Sequence, residues 1–253
     1  MNKKIFFQLF LLLVIGQAKG QWVLNFGTAT TVQPKDFVFI SGTGAQFTFI
    51  KTPATSNYTP FLAHAGLRLG LTKNLDIGYR LCTVPLPWTS VAPTLGSAVD
   101  LKLRLTNQAS RYQCAIIAGG GYAYIKILDN NKTAWSPGIA VSVTRPLNKK
   151  TLITINGRLL QTLIPNAVGG SENNYVNIIG GSVGLSSNLN SVIAIMPEFG
   201  IFKLRGKINN VENNGIGLQI GVVLKVDFKK AASPNAVVRA LTNRYSKRKR
   251  FDS

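Results

Sequence analysis

The chain has 253 residues, a formal net charge of +20 and only 15% charged residues, against about 25% in soluble globular domains. A hydrophobic fraction of 45% excludes a disordered chain, and two cysteines exclude a disulfide-built scaffold. After the first twenty residues no apolar run reaches the length of a membrane-spanning helix.

Residues 1–20 have the three parts of a secretory signal. Lys3 and Lys4 form the basic start, Ile5 to Ile15 the apolar stretch, and Ala18-Lys19-Gly20 the small-residue cleavage site, which predicts cleavage before Gln21. The competing reading is a buried helix or an anchor, for which the apolar stretch is short. No cysteine lies near the cleavage site, so a lipid-modified N-terminus is not expected.

Beyond Gln21 the period is two. Leucine alternates with Gly or Arg over Ala65–Leu71, and the same beat returns over Leu75–Leu81, Val99–Leu105 and Ile216–Val222. Successive side chains of a strand point to opposite faces, so these are strands. About ten are expected, near 36–50, 61–72, 75–84, 96–106, 112–127, 136–146, 151–163, 175–186, 191–203 and 215–228. Eight is the alternative if the first strand or the weakly patterned 112–146 region is misread. Many match or exceed the roughly nine to eleven residues of a tilted strand crossing a bilayer.

Short connections near 72–75, 107–111, 147–150 and 187–190 alternate with longer ones at 51–60, 85–95, 128–135, 164–174 and 204–214. In an up-and-down barrel alternate connections share a rim. Short turns on one rim and long loops on the other are the pattern of transmembrane barrels. An even strand number places both chain ends on the short-turn rim.

One face carries Leu67, Leu69, Leu71, Ile77, Leu81, Leu101, Leu103, Leu105, Ile153, Ile155, Leu218, Ile220, Leu224 and Val226. The other carries His64, Arg68, Asp76, Arg80, Asp100, Lys102, Arg104, Asn156, Arg158, Gln219, Lys225 and Asp227, spaced with glycine. Periodicity alone leaves open which face is inside. Export, strand length and loop alternation favour the apolar set outside, against lipid. Trp88 and Trp135 at the long-loop edge, with Tyr112 and Phe228 at the short-turn edge, then stand at the two levels of an aromatic girdle. Residues 112–127 fit either parity, because Gly119-Gly120-Gly121 weakens both faces.

With these residues in view, the chain resembles small bacterial outer-membrane β-barrel proteins over roughly residues 21–228. The hairpin Gly66–Leu81 is similar to one found in many such barrels, with a Thr-x-Asn-Leu turn (Thr72, Asn74, Leu75) before Asp76-x-Gly78. The strand Gly217–Phe228 is similar to the family's C-terminal insertion signal, closed by an aromatic. It departs in position, because 25 residues follow. The resemblance implies a single antiparallel up-and-down transmembrane barrel in the outer membrane, in contact with its lipids and inserted by the barrel assembly machinery.

The polar face, with Glu198 added, is the candidate lumen lining. It admits a narrow passive pore with a weak anion preference, since a basic lining concentrates anions. It equally admits a lumen filled by its own paired side chains, as barrels of eight to ten strands are. The expected role is non-enzymatic, either structural or at the surface, or such a pore. The alternatives are a barrel lipid hydrolase using His64, the single histidine, and a secreted soluble barrel that binds a ligand. No Ser stands in register beside His64. No cofactor or metal spacing is present; Asp129-Asn130-Asn131-Lys132 holds one acid, too few for calcium. Cys82 and Cys114 fall on the third and fifth strands, too far apart to bridge, so two free thiols are expected.

Residues 229–253 hold eight basic residues and one acid, Asp252, including Arg244, Lys247, Arg248, Lys249 and Arg250. After a signal peptide a nucleic-acid partner is not expected. On the periplasmic side this tail would face anionic lipid headgroups or cell-wall acids. A solvated tail is the competing reading. Oligomeric state is not legible.

Overall fold

The computed structural model describes residues 27–51, 55–84, 94–127, 130–164, 174–208 and 211–228. The signal segment 1–20, Trp88 and the basic tail with Arg244, Lys247, Arg248, Lys249 and Arg250 lie outside the described residues.

The alternating segments form ten strands: β1 (Phe37–Ile50), β2 (Thr55–Gly70), β3 (Leu75–Val84), β4 (Thr94–Arg104), β5 (Gln113–Ile127), β6 (Asn130–Pro146), β7 (Thr151–Ile164), β8 (Asn174–Asn188), β9 (Ile193–Ile208) and β10 (Val211–Asp227). Each pairs antiparallel with its chain neighbours, and β1 pairs with β10 to close the barrel. Closure leaves no strand edge unpaired, as a bilayer requires of any β-structure crossing it.

The expected strand count and order hold, but several expected long loops do not. The ladders run further, so 51–60, 128–135 and 204–214 are largely strand: β2 starts at Thr55, β6 at Asn130, and β9 and β10 reach Ile208 and Val211. The residues there are polar and break the apolar alternation, yet their backbones keep pairing, as in Tyr124↔Thr133 and Lys207↔Glu212. Backbone pairing continues where the period-two signal has faded, because the signal reports burial rather than hydrogen bonding.

At the other rim, three turns repeat one construction. Leu71, Leu147 and Leu189 each donate their N–H to the carbonyl four residues on, at 2.9 Å. The next residue, Thr72, Asn148 or Asn190, accepts two backbone N–H bonds with its side-chain oxygen. Such Asx and Thr caps specify tight turns locally.

Parity is as expected for the clear strands. Leu67, Leu81, Leu101, Leu105, Ile155 and Ile220 are exposed on the outer wall, while Arg68, Asp76, Asp100 and Lys102 are buried inside. In β5 the structure resolves the ambiguity: Ala115, Ile117 and Ala123 face inward. Trp135 lies on the outer wall, its ring over Gly120, where a Cβ would come within 2.5 Å. It sits five residues inside β6 rather than at the strand edge, a correction that follows from the longer ladder. Tyr112 is exposed beside Arg145, and Phe228 stacks on Phe37 at 5.3 Å between ring centres, closing the β1–β10 seam.

Candidate functional site in the lumen

The inward face of β2–β4 is a checkerboard of charge and glycine. Across the ladders, Asp76 stands opposite Gly70, Arg80 opposite Gly66, and Gly78 opposite both Arg68 and Asp100. A missing Cβ lets the neighbouring guanidinium lie flat across the strand. Arg68 Nε thereby donates to Asp76 Oδ1 at 2.9 Å, and its Nη1 lies 2.7 Å from Asp100 Oδ1. Arg80 Nη2 donates to Asp100 Oδ2 at 2.6 Å. Lys102 Nζ lies 4.0 Å from Asp76 Oδ2.

The cations outnumber the acids here, and backbone carbonyls hold the surplus. Lys102 Nζ donates to the carbonyls of Thr28 at 3.0 Å and Thr30 at 3.1 Å. Arg104 donates to the Lys73 carbonyl and to Asn74 Oδ1, both at 2.8 Å. Charge-assisted bonds of this kind satisfy a buried cation without a second carboxylate.

Thr28 and Thr30 belong to a segment that sequence reading does not single out. Residues 27–36 enter the barrel as a strap before β1. Ala29 N–H donates to Thr144 Oγ1 at 2.8 Å, and that hydroxyl pairs with Thr154 Oγ1 at 2.9 Å. Val32 N–H donates to Asp76 Oδ2 at 3.0 Å, and Thr31 Oγ1 to the Lys73 carbonyl at 2.8 Å. The strap leaves through a turn at Lys35, whose φ is 65°, while Lys35 N–H bonds the Gly70 carbonyl. Its composition has no alternation, because its work is done by backbone amides on lumen side chains. The one sequence signal is the excess of inward cations over inward acids.

Further round the wall, Arg158 donates to Gln219 Oε1 at 2.7 Å, Gln219 to Gln46 Oε1 at 3.1 Å, and Gln46 to Thr48 at 3.0 Å. Glu198 is buried on β9. Lys225 and Asp227 face the mouth beside the strap. Beside these polar groups the lining is apolar in two places: Ala98, Ile117, Ala140 and Leu160 pack as one inward cluster, and Val176, Phe202 and Leu204 as another. Small residues on the facing strands leave room for these larger ones. Gly217, for example, is covered by the Phe202 ring.

An aqueous pore would wet its lining. Here Arg68, Asp76, Asp100 and Lys102 are 3%, 0%, 1% and 2% exposed. A cavity of about 80 Å³ remains between the strap and the β8–β10 wall, and one of about 230 Å³ at the mouth near Asp36, Arg104 and Asp227. His64 is buried against Gly42, and its Nε2 has no hydrogen-bond partner among the described residues. Ser41 is near, but its hydroxyl donates to the His64 backbone carbonyl, not to the ring. Cys82 is buried and Cys114 half-buried, and no disulfide joins them, as their strand positions predict.

No family model matches the chain, and no curated protein sequence matches it. Among solved structures the chain is similar to the outer-membrane protease OmpT of Escherichia coli, at 9% identity over 79% of this chain and 100% of that one, with a TM-score of 0.45. It is similar to the NanC porin, at 12% identity over 74% and 98%, with a TM-score of 0.37. It is also similar to Neisserial surface protein A, at 10% identity over 76% and 96%, with a TM-score of 0.30. These neighbours are bacterial outer-membrane β-barrel proteins.

Proposed function

We propose that this chain is a non-enzymatic bacterial outer-membrane β-barrel whose lumen is closed, with a structural or surface role rather than bulk transport. The observation that carries this reading is the buried Arg68–Asp76–Asp100–Arg80 network with the strap bound to it through Asp76 and Lys102. Ions paired and hydrogen-bonded at this density leave no water column between them. The exposed apolar belt and the closed, edge-free sheet support a lipid surroundings. The four-residue turns support a periplasmic short-turn rim, which puts the strap there too. Insertion would use the barrel assembly machinery, reading β10 and Phe228 as an internal signal, and the basic tail would meet an anionic periplasmic surface.

A narrow, weakly anion-preferring pore is the second reading. It is favoured by the inward cations Lys102 and Arg104, whose hydrogen bonds go to carbonyl oxygens. A lipid hydrolase would need a nucleophile at His64 that the ring does not contact in the described residues. Two measurements test the proposal. Electrophoresis of the membrane fraction with and without boiling should show a heat-dependent shift. Reconstitution in planar bilayers should then show no stable conductance steps. Regular anion-selective steps would replace the closed-barrel reading with the pore.

A further inference from the structure

Along the outer wall of β9 the side chains run Ile193, Ile195, Pro197, Phe199 and Ile201, then Lys203, Arg205 and Lys207. The apolar part spans nine residues from the short-turn rim, about what a tilted strand needs to cross the hydrocarbon. The adjoining strands change character one row further out. Lys203 stands opposite Ile179 on β8 and Ile216 on β10, and Ile216 opposite Phe49 on β1. One row on, Arg205 stands opposite Asn177 and Asn214, and Lys51 N–H bonds the Asn214 carbonyl. Ile179, Ile216, Phe49, Phe199 and Ile201 are all exposed, as are Lys51, Lys203 and Arg205.

This side of the barrel therefore has a sharp apolar-to-cationic boundary. Lys51, Lys203, Arg205 and Lys207 gather there with one acid among the described residues, Glu212, directly across from Lys207. No ion pair engages Lys51, Lys203 or Arg205 among the described residues. At about 3.4 Å per residue and 4.8 Å between strands, the cations cover roughly 10 by 14 Å. That is an area a single phosphorylated sugar headgroup covers. Unpaired cations this close repel one another, and outward-facing amides at Asn177 and Asn214 add donors suited to phosphate and hydroxyl oxygens.

We propose that the outer wall of β9, β10 and the end of β1 binds a phosphorylated glycolipid of the external leaflet, its acyl chains on Ile179, Ile201, Ile216 and Phe49 and its phosphates on Lys203, Arg205 and Lys51. The ligand must be a lipid because the cations adjoin the lipid-facing belt without a groove. It must be anionic because the patch has a net positive charge. The glycolipid source follows from the rim, opposite the short turns, and so rests on the outer-membrane orientation given above.

The test is native mass spectrometry of the detergent-folded barrel after incubation with diphosphorylated lipid A, with phosphatidylglycerol as the competing anionic lipid. The wild-type chain should retain lipid A in preference to phosphatidylglycerol. The double variant Lys203→Gln, Arg205→Gln should retain it about tenfold less. The control Lys149→Gln, Lys150→Gln, on the short-turn rim, should retain it as the wild type does. Equal retention by the Lys203/Arg205 variant, equal loss in the control, or equal retention of phosphatidylglycerol each overturns the assignment. Heat-modifiability of the same samples separates the two readings. A shift without lipid retention sinks this inference alone, whereas a detergent-independent soluble protein without a shift sinks the outer-membrane reading beneath it.

Discussion

The guanidinium of Arg68 occupies the space over Gly78: a Cβ at Gly78 would lie 2.6 Å from Arg68 Nη1 and 3.1 Å from Asp100 Oδ2. Gly78 is the gap through which β2 reaches β4, two strands away, and the lumen network depends on it. A side chain there would have to displace the Arg68–Asp100 pair.

Gly78→Ala should therefore destabilise the barrel by about 3 kcal/mol, the cost of separating one buried ion partner. Arg68→Ala should cost a similar amount, and the double variant little more, because both substitutions remove the same interaction. Urea titration of the heat-dependent electrophoretic shift measures all three. Additive losses would show that Gly78 acts elsewhere.

The strap is held by groups that belong to the network. Lys102→Met removes the ammonium that binds the Thr28 and Thr30 carbonyls, while Asp76 still accepts the Val32 N–H. Cleavage between residues 27 and 36 by a non-specific protease should become at least about tenfold faster, since the segment's protection tracks its local opening free energy. The heat-dependent shift should persist. An unchanged cleavage rate would mean that Lys102 does not secure the strap.

The two thiols differ in accessibility. Cys82 faces the packed lumen, and Cys114 lies on the outer wall near the short-turn rim. N-ethylmaleimide should label Cys114 in the folded barrel and both residues after boiling, with no reductant needed for the second label. No label before boiling, two labels before boiling, or a requirement for reductant would contradict this placement.

The architecture was legible because alternation is local. Leu67, Leu69 and Leu71 set against Arg68 and Gly70 specify a strand with two unlike faces, and the Thr72 cap specifies where it turns. The lumen set was legible on the same ground: His64, Arg68, Asp76, Arg80, Asp100, Lys102 and Arg104 are all buried inside. Their pairing was less so. Arg68 and Asp76 are brought together by one hairpin, but Asp100 reaches Arg68 only through the register of a third strand. The ladders at 130–133 and 211–214 leave no mark in the sequence because a run of mostly polar residues has no hydrophobic period.

The amino-acid sequence by itself determined the two-faced strands and which residues make up the apolar set and the charged set, since each is written in the parity of neighbouring residues; closure at ten strands with the charged set inside was decided by the pairing. Tertiary structure alone decided the rest: which charges pair, the apolar clusters around Ile117 and Phe202, the strap over Asp76 and Lys102, and the cationic edge at Lys203 and Arg205. Those depend on cross-strand register and on backbone amides meeting distant side chains. Neither leaves a periodic trace in the chain.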